Sequence, residues 1–142
     1  MCKLKIVSER ISLETKGEVD MVDITAEVES IVEGRSIKNG LATIFVPGST
    51  AAVTTIEYEP GLLTDFPAMF EKIAPRNAAY EHERRWHDGN GHSHVRASLL
   101  GPSLTVPIED GKLTLGTWQQ LVLVELDTHS RSRQLIIQIL GE

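Results

Sequence analysis

Apolar and polar residues alternate near both ends of the chain, and this period of two predicts half-buried β-strands. Residues 3–13 follow the pattern, with a break in the strand expected around Ser8, Glu9 and Arg10. A short apolar run over residues 41–46 predicts a buried strand. The last third of the chain predicts four more strands, over residues 104–108, 112–115, 119–127 and 134–140. Compact turns are expected at residues 109–111 and 129–131, so these late strands should pair antiparallel.

Two segments show helical spacing instead. Residues 23–33 carry apolar side chains every three or four positions, with Asp23 expected as the N-cap and Gly34 at the C-terminal end. Residues 62–73 repeat the spacing, and Pro75 follows them. The sequence therefore predicts two helices.

The polar, charged stretch over residues 77–91 predicts a loop. Because strands outnumber helices, we expect an α+β fold with an antiparallel sandwich-like or barrel-like core and two helices. The length of 142 residues is usual for one domain, so residues 1–142 are expected to form a single domain.

Composition narrows the class of partner. The formal net charge is −6, and basic residues cluster only at Arg84-Arg85 and at Arg131 and Arg133, which disfavours nucleic acid and favours a small molecule. The single cysteine, Cys2, allows no intramolecular disulfide, as in a reducing compartment. No apolar run approaches the roughly 20 residues that span a bilayer. We therefore expect a soluble, cytoplasmic protein without a membrane partner.

Candidate chemistry concentrates in three histidines, His82, His92 and His94. If residues 92–94 are extended, both imidazoles project from one face, and His82 can supply a third ligand of a divalent metal site. Zinc is the first choice of metal, and magnesium is the alternative. The same rings can instead bind an anionic substrate or exchange protons with it. Arg96, on the same face, can bind phosphate or form an ordinary surface ion pair. A polar loop with exposed imidazoles is the plain alternative.

Two other segments carry candidate groups. Residues 47–52 form a turn of small residues that can cradle an anion, with hydroxyl contacts from Ser49 and Thr50, or is an ordinary tight turn. Glu57 and Glu59 precede a helix that carries Asp65; such carboxylates can share magnesium or a proton, or act as helix caps and solvated charges. We favour Glu57 among them.

The chain also shares a set of positions with one known family: Ser103, Val106, Ile108, Gly111 and Gly116-Thr117-Trp118-Gln119, and upstream Tyr80-Glu81-His82, Ser93-His94, Ala97-Ser98-Leu99-Leu100-Gly101 and Leu140-Gly141-Glu142. On these residues the chain resembles the YjbQ-like proteins, often labelled secondary thiamine-phosphate synthase. The resemblance covers nearly the whole chain, with little of it in the first twenty residues.

The resemblance implies an α+β fold, a homotrimer and a metal- or anion-binding pocket near the histidines. It implies roles for His82, His94, Glu57 and the signature residues Trp118 and Gln119, although Trp118 can equally be a buried packing residue. One departure is that many members carry a histidine where this chain has Gly48. His92 is an additional histidine that can replace it.

Three hypotheses follow for function. The leading one is a trimeric metal- or phosphate-binding enzyme that acts on a small phosphorylated metabolite, with thiamine-phosphate synthase as the activity implied by the resemblance. The second is a non-catalytic module that binds a small anion or a metal, with a regulatory role. The third is a purely structural trimer whose histidines are subunit contacts.

Overall fold

The structure is a computed structural model, and it describes residues 3–142; Cys2 lies outside them. Within this range the chain forms eight strands and four helices, in the order β1 (Lys5–Glu14), β2 (Asp20–Asp23), α1 (Thr25–Gly34), β3 (Gly40–Phe45), β4 (Ala51–Ile56), α2 (Pro60–Ile73), α3 (Glu81–Trp86), α4 (Gly91–Leu100), β5 (Ser103–Glu109), β6 (Lys112–Leu113), β7 (Gln120–Glu125) and β8 (Ser132–Gly141).

Two curled antiparallel sheets form the core. One has five strands in the order β1-β8-β3-β5-β6, and the other has three in the order β2-β7-β4. Side chains of both sheets and of α1 meet between them, while α2 and α4 cover the outer face of the three-stranded sheet. The predicted α+β fold with a barrel-like core is confirmed, with four helices where two were expected.

Strand β7 explains why one segment is apolar without alternation. Leu121, Val122, Leu123 and Val124 are all fully buried, because β7 is the middle strand of a sheet that is covered on both faces. A strand with two buried faces has no exposed positions at which to place polar residues. The late strands and the Asp110-Gly111 turn between β5 and β6 also lie where the sequence predicts them.

The strand predictions were wrong in three places. The hairpin expected from the turn at residues 129–131 does not form, because β7 and β8 belong to different sheets. β1 shows no break at Ser8, Glu9 or Arg10, since every residue of the strand pairs with β8. Strands β2 and β4 were not predicted. β2 has only four residues, and β4 begins inside the segment that the sequence assigns to the small-residue turn.

Helices α1 and α2 lie where predicted. The carboxylate of Asp23 accepts hydrogen bonds from the Thr25 N–H at 3.0 Å and the Thr25 hydroxyl at 2.6 Å. It lies two residues before the helix begins, however, and Ile24 is the N-cap residue, so the prediction of Asp23 as the N-cap is wrong by one residue. Gly34 is the last residue of the helix. No helix within residues 3–142 is both long enough and apolar enough to cross a membrane.

The stretch predicted as a loop contains α3, and the segment predicted as extended is α4. α4 inverts the usual hydrophobic pattern: His92 and Arg96 are 1% and 2% exposed, whereas Val95 and Leu99 are 42% and 61% exposed. A helix that buries its polar residues gives no helical apolar spacing for the sequence to reveal.

Candidate functional site

The two histidines of helix α4, His92 and His94, lie on different faces of the helix. Residues two apart on a helix are separated by about 200°, so the expectation that His92 and His94 project from one face is wrong. Residues three or four apart do share a face. His92 therefore lies with Arg96, and His94 lies with Ala97 and Ser98.

His94 meets His82, which comes from the short helix α3. Their ring centroids lie 4.4 Å apart with the planes tilted by 50°. The Asn90 amide, in the orientation that satisfies its neighbours, donates to Nε2 of His82 at 3.0 Å and to Oδ1 of Asp88 at 2.8 Å. Nε2 of His82 also lies 3.2 Å from Oδ1 of Asp88. Polar contacts therefore fix the His82 ring beside His94.

A surface cavity of about 200 Å³ adjoins this histidine pair, and we call it the histidine cavity. Its lining combines the small-residue turn with one face of α4 and the chain that follows it: Gly48, Ser49, Ala51, His94, Ala97, Ser98 and Pro102. Apart from His94 and Pro102 these residues have small side chains. Two features that the sequence places more than forty positions apart, the turn and a histidine, therefore line the same cavity.

The Thr50 side chain is directed inward from the turn and does not line the cavity. It is buried; its hydroxyl donates to Asp127 at 3.0 Å and accepts from the Arg133 guanidinium at 2.8 Å. Arg133 also donates two hydrogen bonds to Glu125, at 2.8 and 2.6 Å. A Cβ on Gly48 would lie 2.9 Å from the Arg133 guanidinium, so the glycine lets the turn rest directly on this network.

The two carboxylates of this network ionise readily despite their burial. Burial alone raises the pKa of Glu125, but hydrogen bonds from Arg133 and Thr15 outweigh it and lower the net pKa. The same holds for Asp127. Burial raises its pKa, but hydrogen bonds from Arg131, Thr128 and Thr50 outweigh this effect, and the pKa falls well below its usual value. Both groups therefore remain charged beneath the turn near neutral pH.

His92 and Arg96 join a second, separate cluster. Nε2 of His92 lies 2.6 Å from a Glu18 oxygen, and Arg96 donates to the Ala74 carbonyl at 2.9 Å and to Glu71 at 2.5 Å. The hydrogen bond from Arg96 lowers the pKa of Glu71. The structure therefore brings neither His92 nor Arg96 to the histidine cavity.

The remaining predicted residues lie elsewhere. Glu57 is exposed after the end of β4, and Glu59 caps α2 by accepting from the N–H groups of Gly61 and Leu62. Trp118 is 73% exposed, so its indole is not the buried packing group considered above. Gln119 donates to the Thr55 hydroxyl at 3.2 Å, beside the other end of β4.

Three side chains near the histidine pair could hold a metal ion. One ligand atom each from His82, Glu83 and Asp88 lies within 4.8 Å of the others, and nitrogen with carboxylate oxygen is a donor set that zinc accepts. Glu83 and Asp88 were not predicted as site residues. Asp88 belongs to a segment that shows only turn character in the sequence, and Glu83 looks like one surface charge among several.

An α+β domain with a histidine pair against a small-residue turn is the class that these observations define. A sequence profile described as "UPF0047 protein YjbQ-like" matches residues 9–142, and the chain belongs to this family. The predicted resemblance is thereby confirmed.

Relatives match over almost their whole length. A UPF0047 protein of Archaeoglobus fulgidus is 41% identical over 130 residues, which cover 92% of this chain and 98% of the relative. A UPF0047 protein of Methanothermobacter thermautotrophicus is 37% identical over 139 residues, covering 98% and 95%. The crystal structure of a YbjQ-like protein of unknown function from Sulfolobus solfataricus P2 superposes with a TM-score of 0.94 at 38% identity and covers 99% of this chain and all of that one.

Proposed function

We propose that the protein is an enzyme that acts on a small phosphorylated metabolite bound in the histidine cavity. The observation that carries the proposal is the contact of the His82 and His94 rings, 4.4 Å apart, at a cavity that the small-residue turn also lines. A phosphoryl group needs close main-chain approach and hydrogen-bond donors, and small residues with imidazoles supply both.

A divalent metal ion, with zinc as the first choice and magnesium as the alternative, belongs to this proposal. Among residues 3–142, no lysine or arginine lines the histidine cavity, and Arg96 is directed to Glu71, so the lining itself offers little positive charge to a phosphate. His82, Glu83 and Asp88 would hold the ion beside the cavity. When bound, it would supply positive charge to phosphate oxygens.

The particular reaction we propose is thiamine-phosphate synthesis. In it, the bond between a pyrimidine methylene carbon and a diphosphate oxygen breaks, pyrophosphate leaves with the electron pair, and a thiazole phosphate nitrogen forms the new C–N bond. Such chemistry needs positioning and charge neutralisation more than covalent catalysis. The histidine cavity, of about 200 Å³, is smaller than the usual 300–1,000 Å³ of a ligand site. It therefore fits one phosphate-bearing fragment, with the rest of the substrates outside it.

We also propose that the chain assembles as a homotrimer. The outer face of the five-stranded sheet carries an apolar row across four strands, which we call the outer apolar row: Ile6 pairs with Leu140, Leu140 with Leu41, and Leu41 with Pro107. Ile6, Leu41 and Leu140 are 70%, 44% and 41% exposed. Contiguous exposed apolar side chains are typical of an interface.

The His82→Ala, His94→Ala double variant tests the enzyme. We expect it to lose bound metal in elemental analysis and to lose pyrophosphate release by at least about 100-fold, because a ligand and a group at the cavity are removed together. His129→Ala is the matched control, since His129 is exposed and its ring contacts only the Ser130 carbonyl in the described chain.

Three results decide between the hypotheses. Unchanged turnover and metal content in the double variant would reject the proposed site. A wild-type protein whose melting temperature rises with the phosphorylated substrates while no product forms would instead be a non-catalytic binding module. A protein that neither binds metal nor is stabilised by these substrates would favour the third hypothesis, a purely structural trimer.

A further inference from the structure

A second cavity lies where the two sheets separate, between the edges of β4 and β5. β4 is an outer strand of the three-stranded sheet, and β5 pairs on its far side only with the two residues of β6. At one end the Val53 N–H donates to the Gly101 carbonyl at 3.2 Å and joins the two walls. Beyond this bond a cavity of about 380 Å³ lies between the strands, and we call it the β4/β5 cleft.

Thr55 presents its main chain to this cleft. It lies opposite Leu121 of β7, but the Leu121 N–H donates to the Thr25 hydroxyl and the Leu121 carbonyl accepts from Ile24, both on the far side of β7. Thr55 and Leu121 are therefore a pair without mutual hydrogen bonds, and the Thr55 N–H and C=O point away from β7. The bond from Val53, two residues earlier, points the same way.

Thr105 presents its main-chain groups to the cleft from the opposite wall. The carbonyl of Pro107, two residues later, accepts from the Thr114 N–H on the side of β5 away from β3. Residues two apart in a strand direct their main-chain groups to the same side, so the Thr105 N–H and C=O also face away from β3. Both residues line the cleft. Each wall therefore offers one adjacent donor and acceptor.

The side chains around the cleft are largely engaged with one another. Gln119 accepts from the Gly116 N–H and donates to the Thr55 hydroxyl, and the Thr114 hydroxyl donates to Pro107. In the part of the chain that the structure describes, no charged residue lines the cleft, while Leu104, Leu115 and other aliphatic residues do. A ligand therefore meets a neutral site whose free hydrogen-bonding groups are mainly backbone.

We propose that the β4/β5 cleft is a second ligand site, which takes an uncharged planar heterocycle with adjacent N–H and C=O groups, the chemistry of a nucleobase or another cyclic amide. Its volume lies within the range of 300–1,000 Å³ for small-molecule sites. β4 ends at Ile56, one residue after Thr55, so its free edge is too short for the consecutive pairs of an added peptide strand. The cleft shares no lining residue with the histidine cavity.

Uracil is the probe that tests this site, in an amide NMR titration of the full chain. We expect saturable shifts centred on the Thr55 and Thr105 amides. 1,3-Dimethyluracil keeps the shape but lacks both N–H donors and should bind about five-fold or more weakly, which corresponds to the loss of one hydrogen bond. Orotate adds a carboxylate to the same ring and should also bind more weakly, because the cleft offers no counter-charge.

Two variants of Thr55 distinguish the contribution of its main-chain N–H to uracil binding from that of its side-chain hydroxyl. Thr55→Pro removes the N–H from an edge position where the sheet does not use it, and should weaken uracil binding about five-fold. Thr55→Val removes only the hydroxyl and should bind uracil as the wild type does. If Thr55→Pro does not fold, the comparison with 1,3-dimethyluracil decides.

The proposal is overturned if millimolar uracil shifts no amide of the cleft, if 1,3-dimethyluracil binds as tightly as uracil, or if the shifts centre on His94. The His82→Ala, His94→Ala double variant should still bind uracil. Turnover therefore reports on the histidine cavity and uracil binding reports on the β4/β5 cleft, so either proposal can fail without the other.

Discussion

Buried polar residues beneath the small-residue turn stabilise its position. Glu125 and Arg133 form a buried ion pair, and Thr50 connects this pair to the turn. Removing one member of a buried pair leaves the other charge without compensation, which costs far more than the pair itself contributes.

Arg133→Met should therefore lower the free energy of unfolding by about 3–5 kcal/mol at pH 7, measured by urea denaturation. The pKa of Glu125 is lowered in the folded protein, so its ionised form stabilises the fold fully above the unfolded pKa, and this stability is lost as the pH falls through the folded pKa. The wild type should lose stability on acidification. The difference between wild type and variant should narrow, because a protonated Glu125 no longer requires the guanidinium.

The control for this prediction is the double variant Glu125→Gln, Arg133→Met. It removes both charges, so it should recover part of the stability that the single variant loses. An Arg133→Met protein as stable as the wild type at pH 7, or a difference that widens in acid, would contradict the role assigned to this pair.

At the scale of elements, the sequence predicts the helices and strands that show a regular spacing of apolar residues. It does not predict a helix whose buried face is polar. Helices α1 and α2 and the late strands follow from period and turn residues. α4 does not, because His92, Ser93 and Arg96 occupy its buried face. The ionic partner of His92, Glu18, lies 74 positions away, and that of Arg96, Glu71, lies 25 positions away, so no local pattern reveals them.

The same limit applies to the candidate site. The histidines and the small-residue turn are visible in the sequence, but their grouping depends on α4 being a helix. Treating residues 92–94 as extended places His92 with His94, whereas the helix separates them and leaves His94 with His82. Residue type therefore indicates the chemistry, and secondary structure decides which groups act together.

The start of α2 gives a direct test at this scale. Glu59 accepts hydrogen bonds from two N–H groups of the first turn, as an N-cap does, whereas Glu57 is exposed two residues earlier. Glu59→Ala should lower the free energy of unfolding by about 1 kcal/mol in urea denaturation. Glu57→Ala is the matched control and should leave it unchanged. Equal effects of the two substitutions would show that general surface charge, and not capping, stabilises this end.

For the whole molecule, the sequence predicts an antiparallel sandwich-like or barrel-like core, but it does not predict which strands belong to which sheet. β7 and β8 are consecutive in sequence, and a compact turn is predicted between them at residues 129–131, yet they belong to different sheets. The chain over residues 126–131 therefore leads from one sheet to the other. Asp127 within this connection and Arg133 just after it contact Thr50, so the connection also supports the small-residue turn from below.

The same architecture leaves the outer apolar row without a partner within the described chain, and the proposed trimer would bury this face. Ile6→Glu would place a carboxylate among apolar side chains of an interface, where an unpaired charge is strongly unfavourable. We expect native mass spectrometry to show three chains for the wild type and one for this variant. Ser12→Glu is the control, because Ser12 is exposed on the same face of β1 about 20 Å further along. A wild type of one chain rejects the trimer, and an Ile6→Glu trimer places its interface elsewhere on the molecule.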